Sequence, residues 1–315
     1  MEWAFACLGL GILLLAGDSL VRGAVNLALR LGIPALIVSL TIVAFGTSAP
    51  ELLISIQAVF KGVPGIAMGN VIGSNTANIL LVLGFPAILA VLHTSGCETR
   101  KSYVQMIVAT LAFIALAFRG TFDLISGVIL LSMLAYMLVD AVRDARAHRK
   151  EGRDSELEEP EGADPDMPWW KICVFLVLGL IGLPLGADLL IDAAEVIARD
   201  FGVSETAIGL TLVALGTSLP ELATTTMAAL RRQADVALGN VIGSNMFNLL
   251  AIIGVTSILH PIPVATEFLT MDLWVMLGAS LLLVPFVFFK QDINRVWGAA
   301  LTLLYVLYVV GVFIF

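Results

Sequence analysis

Apolar residues run along most of this chain in blocks long enough to cross a lipid bilayer. A transmembrane helix needs about 20 mainly apolar residues. Ten such stretches are predicted, at roughly 3–21, 35–60, 63–92, 102–118, 121–139, 171–191, 204–230, 236–259, 271–289 and 296–315. The second, third, seventh and eighth are long and are interrupted by Gly, Pro, Ser, Thr and Asn. The pattern predicts an all-α polytopic membrane protein of ten transmembrane helices. A first five-helix unit spans 1–139, a hydrophilic linker 140–168, and a second five-helix unit 169–315.

The two units repeat each other at an offset of 170 residues. Leu40–Leu52 reads LTIVAFGTSAPEL and Leu210–Leu222 reads LTLVALGTSLPEL, identical at ten of thirteen positions. Gly69–Gly84 reads GNVIGSNTANILLVLG and Gly239–Gly254 reads GNVIGSNMFNLLAIIG, identical at ten of sixteen. Asp18 and Asp188 keep the same offset. Each unit has an odd number of spans, so the second enters the bilayer from the opposite side. The halves are then related by a pseudo-two-fold axis in the membrane plane, the inverted-repeat plan of many secondary transporters. Exchanging the conformations of two equivalent halves turns an outward-open carrier into an inward-open one.

Composition sharpens this picture. Apolar residues make up 59% of the 315 residues, charged residues 13%, and the mean hydropathy is +0.99. Soluble domains have about 45–50% and about 25% respectively. A soluble enzyme, a disordered chain and a nucleic-acid binder are excluded, the last also by a pI near 4.9. Much of the net charge of −8 is local, since residues 140–166 hold ten acids and five bases. That acidic linker reads first as a solvated segment, and regulatory Ca²⁺ binding is the alternative.

With the N-terminus outside, 14 of the 17 Lys and Arg residues lie on the cytoplasmic side and Lys61, Arg119 and Arg199 outside. The positive-inside rule therefore places both termini outside and the linker in the cytoplasm. Trp169 and Trp170 mark a membrane interface. Cys7, Cys97 and Cys173 fit neither a disulfide framework nor a zinc site, and apolar packing is expected for them. The apolar N-terminal run has a counterpart in the second unit, which argues against a cleaved signal peptide. Asp18 lies one turn from Arg22, so a local ion pair is expected, with gating as the alternative. His93, His148 and His260 fall near span ends and receive no role. Spans one and six continue as amphipathic segments to about residues 31 and 201, the form of long tilted helices.

The chemistry lies inside the repeats. Glu51 and Glu221 fall deep in predicted spans, where each carboxylate costs about 2.5–3.5 kcal/mol on the insertion scale. No Lys or Arg lies within ten residues before either one. Burial in the protonated form is the bland reading, and a shared cation site is the better one. Gly46-Thr47-Ser48-Ala49-Pro50 and Gly216-Thr217-Ser218-Leu219-Pro220 precede the glutamates. Gly permits unusual backbone angles and Pro removes an N–H, so a helix break is expected at each. The break offers carbonyls, those of Ala44 and Ala214, at the negative end of a half-helix. Thr47, Ser48, Thr217 and Ser218 add hydroxyls. Ser74 and Asn78 share one helical face, as do Ser244 and Asn248, and complete the donor set. Gly69, Gly73, Asn70, Gly239, Gly243 and Asn240 read as helix-packing residues. The site is hard oxygen, with no His or Cys, which suits Ca²⁺, Na⁺, K⁺ or Mg²⁺ and disfavours Zn²⁺ or Cu²⁺. Two carboxylates balance one Ca²⁺ or two Na⁺, so the two ions compete.

These paired motifs resemble the alpha-repeats of the Ca²⁺/cation antiporter superfamily, in particular the prokaryotic sodium/calcium exchangers, over nearly the whole chain. The resemblance implies a core of helices 2, 3, 7 and 8 holding one Ca²⁺ or several Na⁺. Carried over, Glu51 and Glu221 are the Ca²⁺-binding carboxylates. Thr47, Ser48, Thr217 and Ser218, with the carbonyls of Ala44 and Ala214, complete the Ca²⁺ and Na⁺ subsites, and Ser74, Asn78, Ser244 and Asn248 line them. Potassium-dependent exchangers have Asp at positions such as 78 and 248, so Asn at both argues against K⁺ co-transport. The resemblance also implies three Na⁺ entering per Ca²⁺ leaving, and a membrane potential of 100 mV then contributes about 2.3 kcal/mol per cycle.

The expectation is a Na⁺/Ca²⁺ antiporter of a bacterial inner membrane, exporting Ca²⁺ by alternating access. It has transported ions but no cofactor, a lipid bilayer as its medium, no nucleic-acid partner and no obligate protein partner. A H⁺/Ca²⁺ antiporter using the same carboxylates is the near alternative, and a cation channel the one from another class. An enzyme has no nucleophile–base pair in the spans to support it.

Overall fold

A computed structural model describes residues 2–151, 164, 166–201 and 214–314. It is built of helices, and the apolar blocks form them. In the first half these are α1 (Glu2–Leu31), α2 (Ala35–Thr47), α3 (Ala49–Phe60), α4 (Pro64–Leu89), α5 (Arg100–Ala117) and α6 (Leu124–Glu151). In the second they are α7 (Trp169–Asp200), α8 (Ala214–Thr217), α9 (Leu219–Leu230), α10 (Ala234–Leu259), α11 (Phe268–Phe288) and α12 (Arg295–Ile314). Among the described residues, seven helices have the length and hydropathy of a membrane span, or up to eight if the bent pair α2–α3 counts as one. The shorter apolar run Arg295–Gly311 lies in α12. The start of the predicted span 204–230 and most of the acidic linker lie outside the described residues.

Helices α4 and α10 form the centre, with 78% and 89% of their most apolar windows buried inside the protein. Helices α1 and α7 are long, as expected from their amphipathic extensions, and pack closely on each other. A side chain on Gly9 would meet the Leu190 nitrogen at 2.7 Å, and one on Gly179 would meet Leu20 Cβ at 2.5 Å. These are one contact seen twice, because both residue pairs are related by the 170-residue offset. The pseudo-two-fold recurs in the loops. Phe122 pairs with Ile262 in a two-residue antiparallel ladder, and Leu92, the equivalent of Ile262, pairs in an isolated bridge with Ile293, one residue past the equivalent of Phe122.

The glycines read as packing residues separate into two groups. On α10, added side chains at Gly239 and Gly243 would run into Ser39 Cβ at 2.8 Å and Ala44 Cβ at 2.6 Å, so α2 lies tight against it. On α4, Gly69 has only the Phe268 ring, at 3.8 Å, and Gly73 has nothing within 4 Å among the described residues. Close approach therefore holds for one member of each equivalent pair.

The cysteines depart from the apolar-packing expectation. Cys7 and Cys173 lie on exposed faces of α1 and α7, and Cys97 is half-buried. All three are free thiols. In span positions an outward face is a lipid-facing one, so apolar character is used there without core packing.

Candidate functional site

Helix α2 ends at Thr47 and α3 begins at Ala49, with a bend of 42° between them. Ser48 sits at the joint with φ −87° and ψ 3°, and Ser218 occupies the same conformation in the second half, φ −90° and ψ 1°. Pro50 and Pro220 follow in the first turn of the next helix. Each proline has no N–H to give the carbonyl four residues back, which is why the chain breaks there. Glu51 and Glu221 then fall in the first turns of α3 and α9. The positive end of the helix dipole partly offsets the cost of a buried carboxylate at that position.

A second irregularity flanks the first. Helix α4 widens to a π-helical stretch at Asn78–Val82, and α10 does so at Phe247–Ile252, which contains Asn248. Such insertions re-aim side chains and leave backbone groups less regularly paired.

These breaks lie where the predicted side chains are buried. Glu51 and Glu221 are 1% and 0% exposed. Thr47, Ser48, Ser74, Asn78, Thr217, Ser218, Ser244 and Asn248 are also buried. Ser48 Oγ donates to Glu221 Oε1 at 3.2 Å, which ties the joint before Glu51 to the other carboxylate. Thr47 Oγ1 and Ser244 Oγ lie 3.4 Å apart.

Among the described residues, several polar side-chain atoms in this interior have no hydrogen-bond partner: both oxygens of Glu51, Glu221 Oε2, Ser74 Oγ, Ser218 Oγ, Asn78 Oδ1, and Asn248 Oδ1 and Nδ2. A buried polar group left unpaired costs about 1–3 kcal/mol, more if charged. The oxygens among these atoms are of the hard type that could hold a cation such as Ca²⁺ or Na⁺. No Lys, Arg or His pairs with either carboxylate among the described residues. The described residues hold no cluster of three His, Cys, Asp or Glu side chains placed to share a metal ion.

The carbonyl of Ala44 is less free than the broken helix suggested. It accepts the Ser48 N–H at 3.0 Å and the Thr47 hydroxyl at 3.3 Å. Its chain continues helically to Thr47, and the carbonyl that Pro50 deprives of a donor is that of Gly46. Ala214 opens the equivalent turn α8.

Asn70 and Asn240 do pack helices, and they also hold the site. Thr47 donates to Asn240 Oδ1 at 3.3 Å, and Thr217 to Asn70 Oδ1 at 3.4 Å. Their amides donate onward to Thr225 and Ser55. The sequence reading missed Asn75 and Asn245. These face each other across the pseudo-two-fold, each Nδ2 donating to the other's backbone carbonyl at 3.3 Å. Asn245 Oδ1 also accepts from Asn78 Nδ2 at 3.1 Å. Identity at the 170-residue offset was the available signal for them.

Two polar features lie away from this interior. Asp18 makes the expected pair with Arg22, Nε to Oδ2 at 3.0 Å, and also pairs with Arg231 of α9. His93 has a partner as well, its Nδ1 lying 2.9 Å from Asp292 Oδ2 in the loops that carry the Leu92–Ile293 bridge.

Comparison with known proteins gives a consistent result. The family described as sodium/calcium exchanger protein matches residues 1–142 and 171–314. Sodium/calcium exchanger MaX1 of Methanosarcina acetivorans is 32% identical, with 97% of each chain covered. The Ca²⁺/H⁺ antiporter ChaA of Bacillus subtilis is 24% identical over 85% of this chain and 80% of its own. A solved structure of the sodium-calcium exchanger NCX_Mj, soaked with Na⁺ and Sr²⁺, matches with a TM-score of 0.82 and 32% identity. It covers 98% of this chain and 97% of that one.

Proposed function

This chain belongs to the sodium/calcium exchanger family, and from that premise we propose that it exchanges Ca²⁺ for Na⁺ by alternating access, exporting Ca²⁺. It is a multi-pass membrane protein with the fold of NCX_Mj, a secondary transporter and a Ca²⁺ antiporter rather than an enzyme. A channel reading has no support in these relatives.

One observation carries the finer reading. Two buried carboxylates, without a basic partner among the described residues, are surrounded by hydroxyl and amide oxygens that the protein leaves unpaired. Two negative charges in a dry site need two positive charges brought to them. One Ca²⁺ or two Na⁺ supply these, and a site that must be filled before it moves couples the two ions. In this scheme Glu51 and Glu221 bind Ca²⁺. Thr47, Ser48, Thr217 and Ser218, with the carbonyls of Ala44 and Ala214, complete the Ca²⁺ and Na⁺ subsites, and Ser74, Asn78, Ser244 and Asn248 line them. The ten-helix count, with both termini outside and the acidic linker in the cytoplasm of a bacterial inner membrane, follows from the apolar blocks and the Lys and Arg distribution.

Proton coupling is the second reading, favoured by the relative named a Ca²⁺/H⁺ antiporter. The same carboxylates would then release Ca²⁺ by protonation. Ca²⁺ uptake into proteoliposomes separates the two. Uptake is expected only with Na⁺ loaded inside, and a protonophore should leave it intact. Flux that follows a pH gradient and ignores Na⁺ would establish the proton reading instead.

A further inference from the structure

The Asp18–Arg231 pair joins two bodies. Asp18 is on α1, half of the closely packed α1–α7 pair, and Arg231 caps the C-terminal end of α9, which carries Glu221. The two side chains are only 18% and 15% exposed, so solvent screens them little. The repeat maps Asp18 onto Asp188 and Arg231 onto Lys61. The backbone agrees: Lys61 and Arg231 end their helices at φ −79°, ψ 0° and φ −89°, ψ 8°. Gly62 and Arg232 then both turn left-handed, at φ 76° and 56°. Yet Lys61 and Asp188 are exposed and make no ion pair among the described residues. Arg22, the local partner of Asp18, maps onto Asp192. The repeat therefore keeps the pair between helices and not the one within a helix.

The same one-sidedness runs through the core. Ser48 bonds Glu221, whereas Ser218 Oγ and Glu51 are without partners among the described residues. Asn78 bonds Asn245, whereas Asn248 Nδ2 and Asn75 Oδ1 are likewise unpaired. On α1, a side chain at Gly17 would meet the Ala223 carbonyl at 3.0 Å, while Leu53, the equivalent of Ala223, is 60% exposed. These contacts are formed in one half only, whereas Asn75–Asn245, Thr47–Asn240 and Thr217–Asn70 keep the symmetry.

We propose that Asp18–Arg231 and Lys61–Asp188 are alternating latches. The first ties the α1–α7 pair to α9 on one membrane face in the state seen here. The second ties it to α3 on the opposite face after the halves exchange conformations. The four side chains touch no transported ion. They position the gate, and the inference rests on the alternating-access reading above.

The test uses the full chain in proteoliposomes, with Cys7, Cys97 and Cys173 replaced by Ser. Lys61→Cys with Asp188→Cys is expected to be bridged by a short bifunctional thiol reagent. Adding Arg231→Gln releases the first latch and should raise the bridging rate about tenfold, a shift of about 1.4 kcal/mol. Asp18 keeps Arg22, so this change leaves no unpaired carboxylate. Arg231→Lys, which retains the charge, should stay near the parent rate. Failure to bridge under any mixture of Na⁺ and Ca²⁺, or a rate indifferent to Arg231→Gln, overturns the latch. Bridging that responds as expected, in a protein without Na⁺-driven Ca²⁺ flux, supports the latch and defeats the exchange reading instead.

Discussion

Glu51 and Glu221 occupy equivalent places but not equivalent surroundings. Glu221 has the Ser48 hydroxyl, and Glu51 has no side-chain donor to either oxygen among the described residues. Removing charge at either position should stop Ca²⁺ flux, because one remaining carboxylate cannot neutralise a divalent ion. Glu51→Gln should also leave the ion-free protein at least as stable as the parent, since it replaces a buried carboxyl that has no side-chain partner among the described residues with an isosteric amide. A melting curve in Na⁺- and Ca²⁺-free buffer checks this, and a large fall in melting temperature contradicts it. Asn245→Ala should do the opposite. It deletes the acceptor for Asn78 and the donor to Asn75, a loss of about 1–3 kcal/mol measurable by chemical or thermal unfolding. Asp292 is a separate case. Burial raises its pKa, but hydrogen bonds from His93 and Ser95 outweigh that and hold it below the usual carboxylate range. A depressed pKa stabilises the fold above the unfolded-state value and is lost as pH falls through the folded one. Asp292→Asn should therefore leave the pH dependence of stability flatter below about pH 4, checked by melting temperature against pH.

The elements show which features local sequence can announce. The breaks at Ser48 and Ser218 were legible because Gly and Pro act within one turn, and the glutamates because a carboxylate in an apolar run is costly wherever it packs. The occupied carbonyl of Ala44 was not, because the chain stays helical until Thr47 and only the missing Pro50 N–H frees a carbonyl. Asn75 and Asn245 were hidden beside Ser74 and Ser244, since which face of the helix turns inward depends on the packing partner. Arg231 lies 213 positions from Asp18 and carries no local signal. The glycines give a direct measurement. Gly243→Val must displace Ala44 or the Leu40 carbonyl, both 2.6 Å from an added Cβ. A destabilisation of about 1–3 kcal/mol is expected, as for overpacking in other cores. Gly11→Ala, with nothing within 4 Å among the described residues, should be silent in the same unfolding assay.

At the scale of the whole molecule, the duplication is the organising fact. The same motif occurs once in each half, and its two copies supply equivalent buried side chains, Glu51 with Glu221 and Ser48 with Ser218. The pseudo-two-fold was legible from the 170-residue offset alone. The asymmetry was not, because the repeat identifies equivalent positions but not which of two equivalent contacts forms. The site belongs to both halves, and its ions should stabilise the assembly as a unit. Binding confined to the folded state raises stability by about 2.7 kcal/mol at 100 times the dissociation constant. The most direct measurement is therefore Ca²⁺ binding to the purified protein by titration calorimetry, with Na⁺ as competitor. Saturable binding of one Ca²⁺ that Na⁺ displaces, and that is lost in both Glu51→Gln and Glu221→Gln, is the expected result. Binding that persists in either variant, or that Na⁺ does not weaken, would contradict a site shared between the two carboxylates.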